Sequence, residues 1–316
     1  MLALLVSSIW VGRAPLQVLN AIQALISDEV TVATLVLTEL RAPRAILGLL
    51  VGASLGMAGA AMQGLLRNPL AEPGIVGVSG CAALGAVLTF YTGLSAAFPL
   101  ALPLGGVVGA LLAVALLYAL AGRRSSILTI ILAGIAINAF AGALTSLVLN
   151  LSASPFAFLE IIFWQMGSLE DRGMHHVWLC LPLMALGWVM LVRSGPGLDA
   201  LALGEDTATS LGVSLGQLRM LVIGGTALAV GSGVAVSGVV GFVGLVVPHL
   251  LRPLVGHQPG RLLFLSALGG ALLVLAADVS LRLIPTEVEL KLGVLTALVG
   301  APFFLFLVHR LRTEIT

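Results

Sequence analysis

Charged residues are so sparse along this chain that the gaps between them set its organisation. Ala45 to Leu66 is 22 residues without a charge, enough at ~1.5 Å per residue for a helix to cross a ~30 Å bilayer core. Gly48, Gly52 and Gly56 recur at every fourth position, with Gly59 close by. They leave a seam without side chains where a second helix can approach. A short basic turn, Arg41-Ala42-Pro43-Arg44, precedes this span, and Arg67-Asn68-Pro69 ends it. From Pro73 to Gly122 there are fifty residues with no charge, two spans with Pro99 and Pro103 marking the turn between them. A fifth span covers Ser126–Leu151, and a sixth covers Val177–Val192 and closes at Arg193. The seventh opens at Arg219 and runs to about Ser237; the eighth is the short Gly241–Leu254, broken by Pro248. Leu262–Ala277 and Leu292–His309 are the ninth and tenth. Met1 to Val11 covers only ~17 Å as a helix and reads as a shortened first span. Residues 13–40 hold Asp28, Glu29 and Glu39 and read as an exposed loop with a short amphipathic helix; 152–176 and 194–216 read as polar loops. The pattern predicts an all-α, polytopic membrane protein of about ten transmembrane helices, a single domain over 1–316.

Composition supports the helical choice. The chain is 59% hydrophobic and 9% charged, with a mean hydropathy of +1.14, far from a soluble domain of this length. Its 38 glycines and 5% aromatics suit close helix packing rather than the alternating strands of a barrel. A net charge of +1 without a basic run gives no footing for nucleic acid. Cys81 and Cys180 fall in spans and read as free buried thiols. Lys291, the only lysine, follows Leu290, so the Gly-Lys-Ser/Thr of a nucleotide-binding loop is absent; ATP-driven work would need another chain. Basic residues orient the spans. Nine lie on one side (Arg67, Arg123, Arg124, Arg193, Arg219, Arg252, Arg261, Arg310, Arg312) and six on the other (Arg13, Arg41, Arg44, Arg172, Arg282, Lys291), making the first side cytoplasmic with both termini inside. Val51–Gly59 and Val230–Gly238 share glycine spacing, and Pro69 and Pro248 each lie ten residues beyond the last glycine. An inverted repeat and a chance likeness between glycine-rich helices both fit that observation.

Three stretches carry a resemblance. Arg41-x-Pro43-Arg44 with the glycine-rich helix and Arg67-Asn68-Pro69-Leu70-Ala71-Glu72-Pro73-Gly74 form the first. Gly241 to Arg252 (GFVGLVVPHLLR) is the second, and Leu292 to Phe304 (LGVLTALVGAPFF) the third. In this order the chain resembles the permease family of bacterial ABC importers for ferric siderophores, haem or vitamin B12, the type II importers. The resemblance implies a homodimer in the inner (cytoplasmic) membrane, two copies of a cytoplasmic ABC ATPase and a periplasmic substrate-binding protein. It implies no cofactor in this chain, with ATP and Mg held by the partner ATPase. Phe163 to Leu169 resembles the siderophore and haem branch, while Asn68 to Gly74 is equally at home with cobalamin.

Candidate residues fall in three groups. Gly204, Glu205, Asp206, Ala208, Leu211 and Gly212 form G-E-x-x-A-x-x-L-G. On their own they read as a solvated helix-turn, with Asp199 and the acidic pair able to cap short helices and Gly212 able to end one. The resemblance makes this the element that couples to the ATPase. Arg41, Arg44 and Arg282 read as interfacial arginines, Arg282 also pairing with Asp278 four residues before it; the resemblance adds docking of acidic residues of the binding protein. Ser79, Asn138, Thr145, Ser146 and Asn150 are polar side chains within spans, so each faces a helix or a cavity. The resemblance favours the fifth-span members as pathway lining. His175-His176 with Met166 reads as loop, since neighbouring helical side chains diverge by about 100°, and His249 as structural. No catalytic constellation is present. A secondary transporter would want ionisable groups deep in the spans, and every acidic residue can be placed in a loop or near a span end.

Overall fold

The computed structural model describes residues 1–12, 18–27, 29–98, 100–122, 127–152, 155–284 and 290–315. Arg13, Asp28, Pro99, Arg123, Arg124 and Ser126 lie outside the described residues, as do the side chains of Glu160, Arg310 and Arg312, so those parts of the loop, turn and orientation readings stay with the sequence. All regular structure among the described residues is helical: α1 (Leu2–Trp10), α2 (Val18–Ile26), α3 (Val32–Leu66), α4 (Val78–Tyr91), α5 (Ala101–Ala121), α6 (Ile127–Asn150), α7 (Pro155–Gln165), α8 (Met174–Leu201), α9 (Glu205–Ser210), α10 (Leu215–Ser237), α11 (Val243–Leu251), α12 (Pro259–Leu283) and α13 (Leu292–Ile315). Among the described residues six helices are long and apolar enough to cross a membrane, and three shorter apolar ones accompany them. With the stub α1 that makes ten, the number predicted.

α3 is the mast of the bundle. Most of its surface is covered, and α12, α10, α8 and α11 all pack on it. The glycine seam is what brings them close. A Cβ on Gly52 or Gly56 would overlap the backbone of Gly270 or Ser266 in α12, and one on Gly59 would overlap Gly244 in α11. Backbone meets backbone there, which only a residue without a side chain allows.

Several boundaries differ from the prediction, each for a local reason. Arg41 to Arg44 is not a turn. The helix begins at Val32 and passes through a wider i→i+5 turn over Val36–Arg41, with the Ala42 N–H donating to the Leu37 carbonyl. That turn makes room for Pro43, which has no N–H and crowds the carbonyl one turn back. Pro103 lies in the first turns of α5. Residues 155–165 form α7 rather than loop, and α8 starts early enough to take in His175 and His176. α8 also continues past Arg193 through Pro196 to Leu201. In α11, Pro248 cannot donate to the Gly244 carbonyl, and the Gln63 side chain does so instead at 3.4 Å, reaching the Leu245 carbonyl at 3.3 Å as well. Arg252 in turn donates to Gln63 Oε1. A proline-broken short helix is thereby held to α3 by one glutamine.

α3 and α10 run antiparallel: Leu198 touches Gly64 near the end of α3, and Gly197 abuts Leu218 at the start of α10. The two glycine-rich stretches therefore have the relative direction an inverted repeat requires. Pro69 and Pro248 are not equivalent, since one follows α3 and the other sits inside α11.

Candidate coupling and translocation sites

At one end of the bundle, α8 leads through Gly204 (φ +114°) into α9. α9 ends in a complete C-terminal cap, with the Gly212 N–H donating to the Thr209 carbonyl (2.9 Å) and the Val213 N–H to the Ala208 carbonyl (3.0 Å). Gly212 takes the left-handed conformation (φ +85°) that this cap needs. Glu205 and Asp206 occupy the first turn, where the helix dipole favours negative charge. Ala208 is fully buried, while Leu203 and Leu211 are 68% and 64% exposed. The result is a short, rigid knob with an apolar crown, held beneath by a residue with no room to grow. Glu205 lies 3.8 Å from Arg219.

Asp199 does not cap a local helix as expected. Its Oδ1 accepts from the Gly260 N–H at 2.7 Å and its Oδ2 from Gln258 Nε2 at 3.1 Å, which caps the start of α12. A side chain on Gly260 would collide with this carboxylate. The last turn of α8, one step from α9, is thus tied to the helix most closely packed on α3.

On the opposite side, Arg44 and Arg282 share one carboxylate, and Arg41 and Arg282 reach the end of α1. Arg44 Nε donates to Asp278 Oδ1 at 2.9 Å, and Arg282 pairs with the other oxygen of the same carboxylate. Arg282 Nη1 also donates to the carbonyls of Ser8 (2.7 Å) and Val11 (2.8 Å), and Arg41 Nη1 to those of Ile9 (2.9 Å) and Trp10 (3.0 Å). The last carbonyls of a helix lack internal partners, and cations favour that end. Arg41 and Asp278 are buried, at 5% and 1% exposure. Arg41 and Arg282 tie the end of α1 to α3 and α12, and Arg44 joins α3 to α12 through Asp278. The local Asp278–Arg282 pair was legible in the sequence; the capping of α1 was not.

Of the polar residues expected in spans, Ser79 and Asn138 share one cavity of about 540 Å³, with Leu55 and Val240 also in its wall. Thr145 is buried farther along α6, the Ser146 hydroxyl donates to the Gly142 carbonyl at 2.9 Å, and Asn150 is exposed at the end of α6. None of these three lines that cavity. A residue that was missed does: Glu72, in the linker between α3 and α4, accepts from the Phe242 N–H at 3.3 Å where the chain breaks between α10 and α11. Burial raises its carboxyl above the usual range, partly offset by that hydrogen bond. The signal was present, since Glu72 is the sole charge between Arg67 and Arg123. His175 and His176 lie with ring centroids 4.0 Å apart on the first turn of α8, and His249 packs edge-on against Phe303 at 5.9 Å.

Comparison with known proteins follows the same outline. The model of the FecCD transport family matches residues 1–310. The chain is 42% identical over 275 residues to the vitamin B12 import system permease protein BtuC of Vibrio cholerae, covering 86% of this chain and 82% of that one. It is 39% identical over 278 residues to the Fe(3+) dicitrate transport system permease protein FecD of Escherichia coli, covering 88% and 86%. A solved inward-facing structure described as an ABC transporter of metal-chelate type superposes with a TM-score of 0.83 at 32% identity, covering 98% of this chain and 96% of the other.

Proposed function

The chain belongs to the FecCD transport family, and from that premise we propose that it is the permease of a bacterial inner-membrane importer for a bulky metal chelate, a ferric siderophore or haem. It works as a homodimer with two copies of a separate ATPase inside and a binding protein outside. The observation that carries the reading is α9: a six-residue helix, fully capped, with a buried Ala208 below and exposed Leu203 and Leu211 at its borders. That shape fits a groove in a partner. ATP and its Mg²⁺ belong to that partner, and this chain transmits their work.

Mechanically, displacement of α9 moves the end of α8. Asp199 passes it to α12 through Gly260, and the glycine seam passes it from α12 to α3 with no side chain between them to yield. Cargo moves beside α6, where Ser79, Asn138 and Glu72 face one cavity next to the break at residues 238–242. Asn138 and Asn150 are exposed on α6, and amides facing hydrocarbon are costly. A second copy of the chain set against α6 removes that cost and encloses the route. Glu205, Asp206 and Leu211 with the two bordering glycines serve docking of the ATPase; Thr145 and Ser146 serve packing of α6. Arg41 and Arg282 enter as the anchor of α1 and Arg44 as the link from α3 to Asp278; for any of them to receive the binding protein, a guanidinium must first leave Asp278 or the α1 carbonyls.

The decisive experiment is uptake into proteoliposomes holding this chain, its ATPase and its binding protein, with ferric siderophore, haem and cobalamin in competition. ATP-dependent uptake of an iron chelate that needs all three components is the expected result. Selective uptake of cobalamin, which the likeness to the Vibrio protein favours, would replace the cargo and keep the mechanism. Uptake without the ATPase would overturn the reading in favour of a secondary transporter.

A further inference from the structure

A second cavity, of about 650 Å³, opens between α5, α6 and α10 at the end of the bundle that carries α9. Its inner wall is apolar, with Leu117, Ile130 and Ile223; its rim is polar, with Tyr118, Gln217 and Arg219. Met220 in its wall is 53% exposed, and Leu120 and Leu128, each two residues in sequence from the lining residues Gly122 and Ile130, are both 64% exposed. Large apolar side chains around a cavity at helix ends mean that the mouth opens to the bilayer rather than to water. The Tyr118 hydroxyl is buried on this rim without a hydrogen-bond partner among the described residues, and a buried unpaired hydroxyl calls for an occupant. Arg219, only 11% exposed, supplies positive charge at the same place. Its planar fork matches a phosphate.

We propose that this cavity binds an anionic phospholipid from the cytoplasmic leaflet. The acyl chain lies on Leu117, Ile130 and Ile223, and the phosphate sits between Arg219 and the Tyr118 hydroxyl. Basic pockets between transmembrane helices on the cytoplasmic side take headgroups of this kind, and the volume is that of a ligand site. A water-soluble phosphate would have no use for the apolar wall. The site also touches coupling: Glu205 of α9 faces the same guanidinium, so lipid phosphate and coupling helix share Arg219. That second consequence rests on the function proposed for α9; lipid binding does not.

The test is native mass spectrometry of the delipidated full-length chain titrated with phosphatidylglycerol or phosphatidylcholine. Wild type is expected to retain phosphatidylglycerol with a preference of about tenfold. Tyr118→Phe should lower retention about threefold, Arg219→Gln should abolish the preference, and Glu205→Gln should preserve it. Melting of the lipid-free variants checks that each is folded. Equal retention of the two lipids, or a preference unchanged in both Tyr118→Phe and Arg219→Gln, would overturn the site. Displacement by millimolar inorganic phosphate would assign it to a soluble anion, and loss of lipid on adding the ATPase would assign it to that partner; either result sinks the lipid proposal.

Discussion

Ala208 has no accessible surface, and that lack of room makes it the most sensitive residue of the proposed coupling knob. A larger side chain must push α9 off its seat, a strain of about 1–3 kcal/mol, borne by a six-residue helix while the rest of the bundle keeps its contacts. Ala208→Leu is expected to cut uptake and ATPase stimulation at least tenfold with the melting temperature little changed; a fall in activity matched by a fall in melting temperature would make Ala208 a folding residue only. Asp278 is the opposite case. Asp278→Asn leaves two arginines facing each other without their carboxylate, which costs about 3–5 kcal/mol and should appear as a clear fall in melting temperature. Glu72 adds a pH signature. Its native carboxyl titrates above the unfolded value. The stability it contributes is therefore complete below the unfolded pKa of about 4.3 and is lost as pH rises through the native one. Glu72→Gln keeps an acceptor for the Phe242 N–H without that loss. Melting curves of the two proteins should coincide near pH 4 and separate towards pH 7 with the variant higher; parallel curves would refute the shift. Of these three residues only Ala208 was singled out in the sequence, as part of the candidate coupling element. Asp278 was readable as a local partner of Arg282, and its bond to Arg44 joins residues 234 apart, which no helical period can reveal.

At the scale of elements, hydropathy found the helices but not their ends. It reads charge and turn formers, whereas helices continue wherever backbone groups find partners. Arg193 and Pro196 therefore failed to stop α8, and Pro43 failed to start α3, because a widened turn absorbed it. The bridge from Gln63 to α11 shows the same rule from the other side: a proline freed a carbonyl, and another helix satisfied it. Gln63→Leu strands that carbonyl and Arg252 together, costing about 1–3 kcal/mol, and should lower the melting temperature. Gln63→Glu keeps an acceptor for Arg252 and should separate the two contributions.

For the whole molecule, the six long spans among the described residues were legible because each has enough apolar length to announce itself. The cavity holding Ser79, Asn138 and Glu72 was legible only in part. It forms where a linker, a broken helix and α6 converge, and a spacing along one helix cannot report convergence. The exposed amides of α6 carry the prediction that belongs here. Leu147 is 53% exposed and one turn from Asn150, so Leu147→Arg should convert the proposed dimer, solubilised in detergent, into monomers by light scattering. A dimer that survives would place the partner copy elsewhere.

The bond from Asp199 to the start of α12 has a consequence that reaches beyond ATP-driven motion. A connection stiff enough to carry work outward carries it inward equally well, because coupling between two binding events is a single free energy shared by both. If nucleotide on the inside weakens the hold on the binding protein outside by some factor, arrival of that protein must weaken the hold on nucleotide by the same factor. Asp199→Ala should shrink both factors together, so that the importer loses its sense of load along with its drive.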